Sequence, residues 1–183
     1  MSLVYPYDIE SYIKGKERLV IEKERKALAW YREIGNMPET EHSTYIKVEK
    51  EKLYEILSSS EGWNAWFTDD TSLTLNSDGT GDIRLGWSDF GSRKENVEDG
   101  GKILEAIPNK SFVFQWSPGE SITTVSIKLE KYKDGTLVRL RETGYSSSEK
   151  DLAAYLGCAV GWGEALTLLK VYLEYGIVCK QDL

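Results

Sequence analysis

The element that most constrains the fold is the last one. Leu152, Tyr155, Leu156, Ala159, Trp162, Gly163, Leu166, Leu169 and Leu173 recur at helical spacing. Ser146-Ser147-Ser148 offers N-cap hydroxyls ahead of Glu149 and Asp151, two carboxylates suited to the positive end of a helix. Gly176 supplies a stop. A helix of roughly 25 residues spans about 37 Å, enough to cross a whole sheet. Its apolar stripe needs a sheet, or another helix, to lie on.

The preceding sequence supplies the sheet. Thr44–Val48 reads as a short strand, Lys50–Ser58 as a short helix, and Glu61–Phe67 as a compact aromatic segment. Strand candidates Thr71–Leu75 and Asp82–Trp87 flank Asp78-Gly79, and Glu95–Val97 and Lys102–Ile107 flank Asp99-Gly100-Gly101. Ser111–Trp116 ends at Ser117-Pro118-Gly119. Ile122–Tyr132 and Thr136–Thr143 flank Asp134-Gly135, the clearest hairpin in the chain. Antiparallel strands closed by one long helix make an α+β plan.

Alternation assigns the faces. Val125, Ile127 and Leu129 share one face of their strand, as do Val138 and Leu140 of the next. Phe112, Phe114 and Trp116 form an aromatic stripe, and Ile83, Leu85 and Trp87 a second. Six Trp and eleven Tyr exceed what closing a small core requires; rings with a polar edge suit a partly hydrated pocket. Glu142 follows Val138 and Leu140 on the inward parity, which leaves it either enclosed and partnered or at the rim of the sheet. Glu105 lies in a strand with apolar residues on both faces, so its parity is open.

The rest of the sequence excludes more than it proposes. Twenty-three Lys and Arg against 30 Asp and Glu disfavour nucleic acid and anionic membrane surfaces as partners. No uninterrupted apolar run reaches the roughly 18 residues of a membrane span, and Met1–Tyr12 has no export-signal pattern. A single histidine, His42, and two distant cysteines, Cys158 and Cys179, leave no metal-ligand set. We therefore expect no metal, no cofactor, two reduced thiols and a cytoplasmic setting. His42 reads as an exposed side chain in a connector over residues 35–43. No catalytic motif is present.

Residues 8–34 form a separate helical pattern, with Ile13, Val20, Ala27, Tyr31 and Ile34 near one face and Trp30 beside it. The expected organisation is an N-terminal helical extension and connector over 1–41, followed by one domain over 42–183. The extension packs on its own domain or pairs with a second copy, so monomer and homodimer are both open.

Several segments resemble a known family: Glu61–Phe67, Gly101–Pro108, Phe112–Trp116 and Gly161–Gly176, the last with its Trp-Gly and Leu-Glu-Tyr-Gly ending. They are similar to bacterial homologues of the activator of heat-shock-protein-90 ATPase, within the START or birch-pollen-allergen-like superfamily. The resemblance covers about residues 43–176. It implies a helix-grip fold, in which a curved antiparallel sheet wraps around a long C-terminal helix with a cavity between them.

Three functions are consistent with it. The first is non-catalytic binding of a hydrophobic small molecule (a lipid, polyketide or aromatic), with Trp66, Trp87, Phe112, Phe114, Trp116, Tyr155 and Trp162 as cavity residues and Glu142 as polar anchor. The second is a stress-related co-chaperone with a chaperone partner. The third is a cyclase or hydrolase using Glu142 or Glu105 as general acid–base; the family carries no common catalytic set to transfer.

Overall fold

The structure, a computed structural model, describes residues 37–90 and 94–180. The helical pattern of residues 8–34 lies outside the described residues. Seven strands form one antiparallel sheet: β1 (Thr40–Ile46), β2 (Asp70–Leu75), β3 (Gly81–Phe90), β4 (Glu95–Ile107), β5 (Ser111–Trp116), β6 (Thr123–Tyr132) and β7 (Gly135–Thr143). Their order across the sheet is β1-β7-β6-β5-β4-β3-β2. Strands consecutive in sequence from β2 to β7 are therefore neighbours in space, as short turns require. The helices α1 (Lys50–Leu57) and α2 (Ser60–Trp66) carry the chain from one sheet edge to the other, and α3 (Glu149–Tyr175) follows β7. This is the α+β helix-grip arrangement expected from the sequence.

Local chemistry sets the boundaries. The Ser148 side chain caps α3 by accepting from the Asp151 amide, and Gly176 ends it in the left-handed conformation. In α2, Ser59 accepts from the Gly62 amide. A Cβ at Gly62 would stand 2.0 Å from the Ile56 carbonyl oxygen, so only glycine allows α2 to sit this close to α1. The Trp63 indole N–H then donates to the Leu57 carbonyl at 2.8 Å.

Two sequence expectations change. Asp99-Gly100-Gly101 is not a turn but the middle of β4, a single strand. The glycines are needed there because neighbouring backbone crowds them: a Cβ on Gly100 would meet the Ile83 carbonyl oxygen at 2.1 Å, and one on Gly101 the Gln115 oxygen at 2.7 Å. His42 belongs to β1, opposite Leu140, and is half-buried with its ring near Gly163 of α3.

The core lies between the sheet's inward face and the helices. Leu85, Phe112, Phe114, Val125 and Val138 meet Leu53, Leu57 and Trp63 from α1 and α2, and Leu166 and Leu169 from α3. Helix α3 runs beside β1, where Lys170 donates to the Tyr45 carbonyl and Glu174 accepts from the Lys47 amide. It is the one helix among the described residues long and apolar enough to cross a membrane. Its Trp162–Leu169 face closes the core. Leu156 and Val160 lie off this face, at 51% and 64% exposure.

Candidate functional site

Beyond the filled core, the middle of α3 stands over a cavity of about 340 Å³. Phe67 after α2, Trp87 of β3, Val97 and Asp99 of β4, Trp116 of β5 and Pro118 beyond it form one wall. Gly157, Cys158, Gly161, Trp162 and Glu164 of α3 form the other. Val97, Gly157 and Glu164 are exposed and mark the mouth.

The rings stand at angles that leave space between them. Phe67 meets Trp87 edge-on at 5.3 Å, Phe67 and Trp162 lie 6.0 Å apart, and Trp162 and Trp116 lie 5.2 Å apart. Hydrogen bonds fix each indole. Trp87 donates to the Phe67 carbonyl at 3.0 Å. Trp116 and Trp162 donate at 2.6 Å to the two oxygens of Glu142, Oε1 and Oε2. Thr123 adds a third bond, its hydroxyl donating to Oε1 at 2.6 Å.

Glu142 is therefore enclosed, at 0% exposure, not at a solvent-facing rim. Strand alternation on β7 turns it inward, and two tryptophans and a threonine supply the donors a buried carboxylate requires. It is not one of the residues lining the cavity; it stands behind the wall and sets the orientation of two indoles that do line it.

Two carboxylates line the cavity, Glu164 exposed at its mouth and Asp99 half-buried in its wall. Asp99 Oδ1 accepts from the Gly100 amide at 2.6 Å and the Ser117 amide at 2.9 Å. Burial raises its pKa above the ordinary aspartate value, and the negative Glu142 adds to the rise, against the lowering effect of the two amides. Burial, then Glu142, pushes the Cys158 thiol up to about 12. At neutral pH Cys158 is a neutral wall residue, not a nucleophile. Burial also raises the Tyr145 hydroxyl well above its usual range, with Cys158 and Glu142 contributing.

Of the residues singled out in the sequence, Trp87, Trp116 and Trp162 line the cavity. Phe112 and Phe114 are fully buried beside Trp63, at ring distances of 6.4 and 5.8 Å, and belong to the filled core. Trp66 is buried and stacks on Phe67 at 5.0 Å, outside the lining. Tyr155 packs edge-on against Tyr145 at 5.6 Å, also outside it. Glu105 is exposed, accepting from the Ser111 hydroxyl at 2.5 Å. Neither carboxylate named for acid–base work touches the cavity.

The sequence reading missed Asp99, Gly157 and Gly161. Glycine inside a helix costs about 1 kcal/mol relative to alanine. A Cβ added at Gly157 or Gly161 meets nothing within 4 Å, so neither is required by close packing. Two glycines four residues apart in a helix interior were the available signal.

A family model described as Activator of Hsp90 ATPase homolog 1-like protein matches residues 47–174. The fold is similar to the solution structure of the Aha1 dimer from Colwellia psychrerythraea, with 26% identity, a TM-score of 0.60, and coverage of 76% of this chain and 98% of that one. It is also similar to a Staphylococcus saprophyticus protein (22% identity, TM-score 0.60, covering 78% of this chain and 96% of that one). A third similar structure is a Nitrosomonas europaea protein (18% identity, TM-score 0.62, covering 74% and 94%). A search of curated proteins gave no match.

Proposed function

The chain belongs to the Activator of Hsp90 ATPase homolog 1-like protein family, and on that premise we propose that it binds a hydrophobic small molecule between the sheet and α3. The observation that carries this reading is the aromatic cavity of about 340 Å³, beside which α3 places Gly157 and Gly161 with open space at both Cβ positions. A space this size is within the range of small-molecule sites. Its walls are mainly apolar, and its three indoles are held by hydrogen bonds within the protein, so the site is formed before a ligand arrives. The two cysteines are unpaired, which supports a reducing, cytoplasmic setting.

Native mass spectrometry of the freshly purified protein tests for a co-purified ligand. Tryptophan-fluorescence titration against lipids, flavonoids and polycyclic aromatics tests the class, because Trp87, Trp116 and Trp162 all face the space. Saturable quenching supports the reading. No response to any member of the panel, with no co-purified mass, overturns it.

The family and the dimeric Colwellia structure favour a second reading, a homodimeric co-chaperone-like module. It calls for a concentration-dependent dimer in sedimentation and a changed ATPase rate of a bacterial heat-shock-protein-90 homologue. A monomer with no effect on that rate removes it.

A further inference from the structure

We propose that the cavity selects an organic cation, an ammonium group carried on an apolar body, over neutral and anionic ligands of the same shape. The inference rests on the ligand-binding reading above and names the chemical class that the site takes. Three observations converge on it.

The first is charge. Among the described lining residues, Asp99 and Glu164 are acidic, and no lysine, arginine or histidine is present. A third carboxylate, Glu142, stands immediately behind the Trp116–Trp162 wall. A carboxylate ligand such as a fatty acid would enter facing like charges, with no cation to receive it.

The second is the direction of the hydrogen-bond donors. The three indole N–H groups of the lining are all committed to protein acceptors, two to Glu142 and one to the Phe67 carbonyl. The tryptophans therefore have no N–H donor left for a ligand, which meets ring carbon instead. Phe67 adds a fourth ring at a different inclination. Several rings around one space, with their faces electronegative, favour an ammonium group through cation–π attraction, which strengthens when the group is desolvated.

The third is Asp99. Both amide bonds that it accepts fall on Oδ1. Among the described residues Oδ2 carries no hydrogen bond or ion pair, and Asp99 lines a space with no cation among its described lining residues. Burial disfavours its charged form, and a bound ammonium would reverse that.

The experiment uses three naphthalene probes of one size: naphthylmethyl-trimethylammonium, neutral neopentylnaphthalene and naphthaleneacetate, titrated calorimetrically into the full chain at neutral pH. The cation is expected to bind about 10-fold tighter than the neutral probe, with the acetate weakest. The companion variant is Asp99→Asn, whose amide oxygen can still accept from Gly100 and Ser117 and so preserves the strand. It should reduce the advantage of the cation over the neutral probe to about threefold or less. Equal or tighter binding of the neutral probe or the acetate overturns the selectivity and leaves the ligand-binding reading intact. An undiminished cation preference in Asp99→Asn overturns the role of Asp99. Failure of all three probes, together with the lipid and flavonoid panel, overturns both readings.

Discussion

The inward face of the sheet carries aromatic residues at two places, and the protein treats them differently. Around Phe112 and Phe114, Trp63 of α2 fills the space, and the three rings are fully buried. Around Trp87 and Trp116, α3 supplies Gly157, Cys158 and Gly161, and a cavity is left. Strands of similar composition thus give a filled core at one place and an open site at the other. The difference lies in the helices: bulky side chains close the first region, and absent side chains leave the second open. Trp116 and Trp162 of the open region consequently need another support, and buried Glu142 provides it by accepting from both their indole N–H groups.

The largest effect should come from the filled region. Phe114→Ala removes a fully buried ring from the cluster and is expected to cost about 3–5 kcal/mol in chemical denaturation. Ligand affinity in the surviving folded fraction should hold. A loss of affinity equal to the loss of stability would show that the two regions are one unit.

Glu142→Ala attacks the support of the open region. It strands two indole N–H groups and a threonine hydroxyl in a buried place, and about 3 kcal/mol of stability should be lost. Tryptophan emission should change with it, because Trp116 and Trp162 lose their fixed orientation. An unchanged emission spectrum would contradict the role given to this carboxylate.

Asp151 should act next in size. Its Oδ1 accepts from the amides of Glu120 and Ser121 and its Oδ2 from that of Ser146, which ties the loop beyond Pro118 to the start of α3. Burial alone would raise its pKa, but the bonds from Ser121 and Ser146 outweigh burial and leave it well below the ordinary aspartate value. A carboxyl more acidic in the folded than in the unfolded chain stabilises fully above the unfolded value, about 3.9, and loses that contribution as pH falls below it. Asp151→Ala should cost about 2 kcal/mol at pH 7. Measured down to pH 3, the gap between variant and wild type should narrow; a constant gap would refute the assignment.

The smallest effect has the opposite sign. Gly157→Ala relieves the helix penalty of glycine where a Cβ meets nothing within 4 Å, so stability should rise by about 0.5–1 kcal/mol. A fall in the thermal midpoint would mean that the space at Gly157 is not open.

The sequence carried the fold because local signals and the global plan agree. Ser148 and Gly176 bound the long helix as their chemistry requires, and the strand alternation that buries Val138 and Leu140 also buries Glu142. The candidate site was only partly legible. Alternation reports which residues turn inward but not whether the space they face is filled. It therefore cannot separate Phe112 and Phe114 from Trp87 and Trp116. Asp99 stayed hidden because Asp-Gly-Gly is also a turn signal; here the glycines admit the backbones of β3 and β5 on either side of β4. Gly157 and Gly161 stayed hidden because a missing side chain leaves no mark in a hydrophobic pattern.

The central claim is that the space left beside those glycines is the binding site. Gly161→Leu tests it most directly, since the new side chain enters open space and favours the helix. Calorimetric titration of wild type and variant with the best-binding probe, beside a thermal melt of each, is the measurement. We expect binding to fall at least about 10-fold as the cavity fills, with a melting temperature equal to or above that of the wild type. Unchanged affinity in a variant that melts normally would place the ligand elsewhere and contradict the account.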